Sequence, residues 1–418
     1  MHHIKISNLF MYKSAFLLLI LTILPLYAYS TSLNDALIKT LENNPSLKNS
    51  FYETLGNKKQ VFFSSISELL PNVTYFIRSA SNGINSINIP NQNKTTGIML
   101  SESLSMATIS ALQQSRYLLG IQDLSFLLRK QNILLNAIRA YMNVLTAIEV
   151  YKLNQNNEKI LKQHLLIAQK RFNVGEITKT DVSKTKALLS AAISDTIKAH
   201  GNMKVAEASY FHIIGEQPTN LHYPEMPIKI PVALEDALNL ARQNSIALKL
   251  ASYAYISAKK DILTTLAKSL PYLSITANLT SPFNTSNYMS NIDFQISLPI
   301  FQKGVNIANI EQSHIARKQK MYAYYEALKS LEESVVLNWE NLSTAQSMLQ
   351  SAKDSIKYAT VVLESVKEEA KLNLKTILDV SDAEQELLKA KVNLINAQSS
   401  VIINQYNLLA LIGQFNLN

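Results

Sequence analysis

Residues 32–48 read SLNDALIKTLENNPSLK, and residues 233–249 read ALEDALNLARQNSIALK. The likeness extends outward from this pair. LPNVTYF from Leu70 answers LPYLSIT from Leu270, TDVSKTKALLSAA from Thr180 answers LDVSDAEQELLKA from Leu378, and HIIGEQP from His212 answers ALIGQFN from Ala410. The offset stays between 198 and 201 residues throughout, and a constant offset of this size means a duplicated fold. The first repeat is assigned to residues 31–214 and the second to residues 232–418. Between them, residues 215–231 carry Pro218, Pro224, Pro227 and Pro231, which cannot continue a helix and so mark a linker.

Within each repeat the hydrophobic period changes twice. From Leu328 to Leu363, apolar or small residues recur at alternating steps of three and four, through Leu331, Val335, Leu342, Ala345, Leu349, Ala352, Ile356 and Ala359, broken only at Asn338. That is a heptad seam, and its alanines permit close helix approach. From about Met106 to Phe172 there is no proline and one glycine, so a continuous helix there would be on the order of 100 Å long. Between the helical stretches the period becomes two. Val73, Tyr75 and Ile77 alternate with Thr74, Phe76 and Arg78, and Ile292, Phe294 and Ile296 with Asp293, Gln295 and Ser297. Four strands are expected, at about residues 71–82, 95–106, 271–281 and 291–301. Each approaches the ~10 residues of a tilted strand that crosses an outer membrane. The Asn- and Ser-rich joining segments, within 82–93 and 281–291, suit exposed turns. Four strands cannot close a barrel in which every backbone group is paired, so several copies of the chain are required.

The ends and the composition narrow the class. After Lys13 an apolar run from Ala15 to Leu24 meets Pro25 and ends at Ala28-Tyr29-Ser30. This is the pattern of a secretory signal peptide over residues 1–30, and the run is too short for a membrane anchor. With no cysteine in the chain, lipoprotein processing, disulfides and cysteine-held metals are excluded. Nine glycines in 418 residues speak against nucleotide-binding loops and all-β folds. The net charge of +9 could favour nucleic acid or anionic lipid, but no basic block makes it specific, and no nucleic-acid partner is expected. No later segment reaches 18 uninterrupted apolar residues, so no helical span is expected in the mature chain.

These residues resemble the TolC-type outer-membrane efflux proteins over essentially the whole mature chain. The most specific piece is RFNVGEITKTDVSKTKALL from Arg171, similar to that family's first periplasmic turn, followed by TILDVSDAEQELLKAKVNL from Thr376. LPIFQKG at residues 298–304 is similar to its sheet-to-helix junction. The resemblance implies a mostly helical fold with a membrane β-barrel contribution. In it a duplicated helix–strand–strand–helix unit forms a homotrimer with one twelve-stranded barrel and a helical tunnel through the periplasm. It further implies that Asp379 and Asp382 line the narrow periplasmic tip, where three copies bring six carboxylates together and raise their apparent pKa. Lys375 falls where the family often has arginine, and Thr180 and Asp181 match the groups that cation holds. Arg171, Phe172, Val174 and Gly175 form the turn implied to dock a periplasmic adaptor. The family's tyrosine latch is Ala370 here, and its second Val-Gly is Leu372-Asn373. The chain stops soon after Gly413, so no C-terminal extension of the equatorial layer is expected.

No catalytic constellation is present, and no cofactor or metal is expected. His164, His200, His212, His222 and His314 lie apart, without ligand spacing, and each is read as solvated or locally bonded. Trp339 is read as packing at an equatorial bulge. Aspartate near a helix start also favours the dipole, which gives Asp379 and Asp382 a capping role as the alternative. The expected function is a passive exit duct of a tripartite efflux or type I secretion system. It would work with an inner-membrane transporter and an adaptor, in the outer membrane of a Gram-negative bacterium and in contact with its lipid, without enzymatic chemistry. The alternative is a trimeric coiled-coil structural or adhesin-like surface protein, which would have no use for strand pairs that interrupt its helices twice.

Overall fold

A computed structural model describes residues 31–67, 69–79, 94–224, 230–283, 285, 287–372 and 374–415. The expected signal peptide, the segment 82–93 and part of the linker lie outside them. The element order runs twice through the same series. The first half holds α1 (Leu33–Asn43), α2 (Pro45–Ser67), β1 (Asn72–Ser79), β2 (Lys94–Leu104), α3 (Met106–Asn173) and α4 (Lys179–Ile214). The second holds α5 (Leu234–Asn244), α6 (Ile246–Ala267), β3 (Tyr272–Pro282), β4 (Met289–Ser297), α7 (Val305–Lys371) and α8 (Ile377–Leu411). The 68 residues of α3 give the rod of about 100 Å that its missing prolines allow.

The four strands form one antiparallel sheet in the order β1-β2-β3-β4, and the register sorts its two faces. Tyr75 stands opposite Ile98, which stands opposite Leu279; a lower row joins Glu102, Ile275 and Phe294, and the last joins Leu104, Leu273 and Ile296. The other face carries Asn72, Ser101, Thr276 and Asp293 in one row and Ser103, Ser274 and Gln295 in the next. Directly paired residues share a face, so one face is apolar and the other polar. On the apolar side Tyr75, Phe294 and Ile296 are 65%, 71% and 77% exposed. Among the described residues the outer edges of β1 and β4 pair with no other strand.

Two strand ends differ from expectation. β2 stops at Leu104 because Ser105 takes the N-cap of α3, its side chain accepting from the Thr108 N–H at 3.3 Å. β4 stops at Ser297 because Pro299 lacks the ladder's N–H, and the chain turns through Lys303 and Gly304, both at positive φ, into α7.

Below the sheet, α3 packs on α2 and α6, and α7 on α6; farther down, α3 pairs with α4 and α7 with α8. Two cores sit where these levels meet. Leu33, Ala36 and Leu37 of α1 close over Leu134 to Leu145 of α3 with Tyr210 and Ile214 of α4. Ala237 and Ala241 of α5 close over Leu331 to Ala352 of α7 with Val401, Leu408 and Ile412. Trp339 is half-buried against this second core, and the Asn338 amide that breaks the heptad donates back to the Ser334 carbonyl at 2.8 Å. One stretch of α3 is apolar enough to cross a membrane, against the expectation of no such segment. Its apolarity belongs to the first core, which takes Leu134, Ile138, Tyr141 and Leu145 from the middle of α3.

The junctions at this level are built alike in both repeats. Gly215 ends α4 at φ +89°, and a Cβ there would meet Asn43 Cβ at 2.7 Å; Gly413, after α8, has φ +69°, and its Cβ would meet Asn244 Cβ at 2.6 Å. Only glycine gives both the left-handed turn and the room. Fully buried Tyr141 pins Thr31, just ahead of α1, and the linker here. Its hydroxyl lies 2.6 Å from the His222 carbonyl and 3.0 Å from that of Thr31, and accepts the His222 N–H at 3.1 Å.

Candidate functional site

At the end of the rods away from the sheet, two hairpin turns lie side by side in the fold. α3 ends where Gly175, at φ +83°, lets the Glu176 N–H donate to the Arg171 carbonyl at 2.9 Å and its own N–H to Phe172 at 3.0 Å. The second turn keeps the longer of these two spans, with the Leu374 N–H donating to the Glu369 carbonyl at 2.9 Å. The exchange of Val-Gly for Leu372-Asn373 therefore leaves that closing bond in place. Arg171 faces Glu176 at 3.8 Å. Phe172, Val174, Leu372 and Leu374 are exposed, an apolar set at the very tip.

The acidic residues are placed by capping. The Thr376 N–H and hydroxyl donate to Asp379 Oδ2 at 2.7 and 2.8 Å, and the Asp379 N–H returns a bond to Thr376 Oγ1 at 3.2 Å. Thr178 and Asp181 make the same box at 3.0, 2.8 and 3.3 Å, as do Ser32 and Asp35. The Thr376 backbone and then its hydroxyl hold the Asp379 carboxyl below the usual range, and Thr178 does so for Asp181. Within one chain this is the opposite of the rise expected from converging carboxylates. Asp379 and Asp382 are one turn apart on α8, and Asp382 is exposed. Lys375 and Thr180 are exposed as well, and no hydrogen bond joins Lys375 to Thr180 or Asp181 among the described residues. Ala370 packs on Leu363, Val380 and Ala383. Sequence reasoning passed over Thr178 and Thr376, whose signal was available: a hydroxyl residue three positions before an acid at a helix start.

His164 departs from the reading of every histidine as solvated or locally bonded. It is half-buried on α3, and its Nδ1 lies 2.9 Å from Ser381 Oγ on α8, 217 residues along the chain. Its Nε2 lies 3.6 Å from Glu384 Oε2. Among the described residues no group of three or more His, Cys, Asp or Glu is arranged to hold a metal.

A sheet with one apolar and one polar face, mounted on paired helical rods whose turns are capped in duplicate, defines an outer-membrane channel component. Residues 92–216 and 237–414 match the family described as outer membrane efflux protein, and the chain belongs to that family. It is 26% identical over 363 residues to outer membrane protein TolC of Escherichia coli (strain K12), covering 80% of this chain and 73% of that one. It is also 26% identical over 400 residues to outer membrane efflux protein BepC of Brucella suis, covering 93% and 86%. A solved structure of CusC superposes with a TM-score of 0.79 at 17% identity, covering 92% of each chain. The protein is thus an outer-membrane efflux channel protein, with the mostly helical, four-stranded duplicated fold that its sequence implied.

Proposed function

We propose that three copies of the chain close one twelve-stranded barrel and that the helical rods beneath it form a passive exit duct through the periplasm. The observation that carries this reading is the sheet. Its two open edges must be paired in a bilayer, and its apolar face suits lipid while its polar face suits a water-filled lumen. Joining β4 of one copy to β1 of the next satisfies both demands. The first 30 residues act as the export signal, residues 31–214 and 232–418 as the two repeats, and residues 215–231 as the equatorial linker.

At the tip, Asp379 and Asp382 line the constriction, with Lys375 reaching toward Thr180 and Asp181 of a neighbouring hairpin to hold it inward. The turn of Arg171, Phe172, Val174 and Gly175 offers an apolar and basic docking edge to a periplasmic adaptor, which links the duct to an inner-membrane transporter. The duct performs no chemistry of its own. The test is conduction in planar bilayers with a trivalent cation added on the tip side. Wild type should be blocked, Asp379→Ala with Asp382→Ala should conduct without block, and Lys375→Ala should conduct more. A double variant blocked like wild type would place these carboxylates outside the lumen. A tag at Asn88 that is labelled on intact cells supports the orientation; labelling only after permeabilisation refutes it.

A further inference from the structure

Below the sheet the rods stand in the row α2, α3, α6, α7, which repeats the strand order β1-β2-β3-β4 above it. The two ends of this row each carry an exposed stripe. On α2, Lys58 binds Asp123 at 2.8 Å, Asn57 binds Gln122 at 3.3 Å and Glu53 pairs with Arg129, all on α3. Away from these contacts Tyr52 and Phe63 are 67% and 62% exposed, with Lys59 exposed between them. On α7, Ile307, Glu311, Ile315 and Lys318 are all exposed, and their steps of four, four and three put them on one helical face. Among the described residues none of Lys59, Glu311 and Lys318 has an ion-pair partner in its own chain.

The chain already contains one contact of the kind these stripes lack, where α3 leaves the sheet and α6 returns to it. The Tyr253 ring lies over Gly120, whose added Cβ would meet Tyr253 Cε2 at 2.6 Å, and packs edge-on against Tyr117 with centroids 5.8 Å apart. Gln113 and Lys260 line the same cavity there. The duplication carries this contact onto the stripes. Lys48, Tyr52, Lys58 and Lys59 of α2 recur as Lys249, Tyr253, Lys259 and Lys260 of α6, 201 residues on. Buried Ser115 of α3 recurs 198 residues on as buried Ser313 of α7, and each hydroxyl donates to the carbonyl three residues before it, at 2.8 and 2.7 Å. Moved by these offsets, Tyr253 over Gly120 becomes Tyr52 beside Lys318, and Lys260 with Gln113 becomes Lys59 with Glu311. The same register sets Phe63 against Ile307. A cation meets an aromatic ring, a base meets an acid and two apolar side chains meet each other. We propose that neighbouring copies meet below the membrane along this seam, α2 of one copy antiparallel to α7 of the next, with Lys59 paired to Glu311, Tyr52 to Lys318 and Phe63 to Ile307.

The seam rests on the joining of β4 to β1 of the next copy and goes beyond it, fixing which helix faces meet, in what register and by what charges. The chain has no cysteine, so paired cysteines in the full chain, purified in detergent and oxidised, report the register. Phe63→Cys with Ile307→Cys should link copies covalently on denaturing electrophoresis; within one chain α3 and α6 stand between these positions. Phe63→Cys with Ile315→Cys, displaced by about 12 Å along α7, should not link. Charge exchange is the second measurement. Lys59→Glu and Glu311→Lys should each lower the temperature at which the oligomer dissociates at low salt, and the two together should restore most of the loss. The differences should shrink at about 1 M salt, where screening reaches about 3 Å. Linking at the displaced pair instead, or two charge losses that add without restoration, overturns the proposal. A wild type that scatters light as a monomer overturns the assembly and the seam with it, whereas a trimer without the Phe63→Cys and Ile307→Cys link overturns the seam alone and leaves the stripes for another partner.

Discussion

A threonine three residues before an aspartate does structural work at both turns. The box at Thr376 and Asp379 satisfies N–H groups that a helix start otherwise leaves open. Thr376→Ala is expected to cost about 1 kcal/mol of local stability, read as faster amide hydrogen exchange at residues 376–383. The sign with pH follows from the lowered carboxyl of Asp379, whose largest cause is the Thr376 backbone N–H. A carboxylate lowered in the folded state contributes fully above about pH 4 and loses its contribution as pH falls through the folded value. Exchange in wild type and Asp379→Asn should therefore converge in acid and diverge at neutral pH. Capping was legible in the spacing, but the same residues also fit a family motif at a channel tip, and the motif drew the reading toward the lumen. The contacts of His164 with Ser381 and Glu384 were not legible, because nothing in a single sequence joins residues more than 200 positions apart. At the middle of the rods, Tyr141→Phe removes the donor that serves Thr31 and His222, leaving the buried Thr31 carbonyl unpaired at about 1–3 kcal/mol. A lowered Tm with unchanged conductance is the expected outcome.

Among the elements, helices and strands differ in how openly the sequence announced them. The strands were placed to within a few residues because period two with one apolar face has few other uses. Their ends were less legible, since a serine cap at Ser105 and a proline at Pro299 override the alternation locally. The short helices α1 and α5 opened the argument through their likeness, and both pack over the middle of the long rods, beside the glycines that follow α4 and α8. Gly413→Ala introduces a Cβ 2.6 Å from Asn244 Cβ at φ +69°. It is expected to cost about 1–3 kcal/mol and to lower the thermal midpoint, with Gly215→Ala behaving alike because its surroundings repeat. The two sheet faces make opposite predictions for the same charge. Phe294→Arg, on the apolar face, should reduce membrane insertion by an amount equivalent to about 2–4 kcal/mol. Gln295→Arg, its polar-face neighbour, should insert normally and shift ion selectivity toward anions.

For the whole molecule, the repeat offset and the strand count together made the architecture readable before any coordinates, because a duplicated unit with four strands is incomplete by itself. Purified protein should scatter light as a trimer whose electrophoretic mobility changes on boiling, and a monomer with full β content would contradict the assembly. Unpaired outer edges on β1 and β4, with Phe294 and Ile296 bare on one face, have a further consequence in the time before assembly. A subunit newly delivered to the aqueous compartment holds a structure that neither water nor lipid tolerates alone: water meets the apolar face, and lipid meets the open edges. On the assembly proposed above, biogenesis would favour subunits that meet one another before or during entry into the bilayer, so the appearance of channels should follow a power of subunit concentration above the first. At low expression unassembled subunits should then form a reservoir exposed to proteases and aggregation, and the yield of channels should fall faster than the amount of protein made.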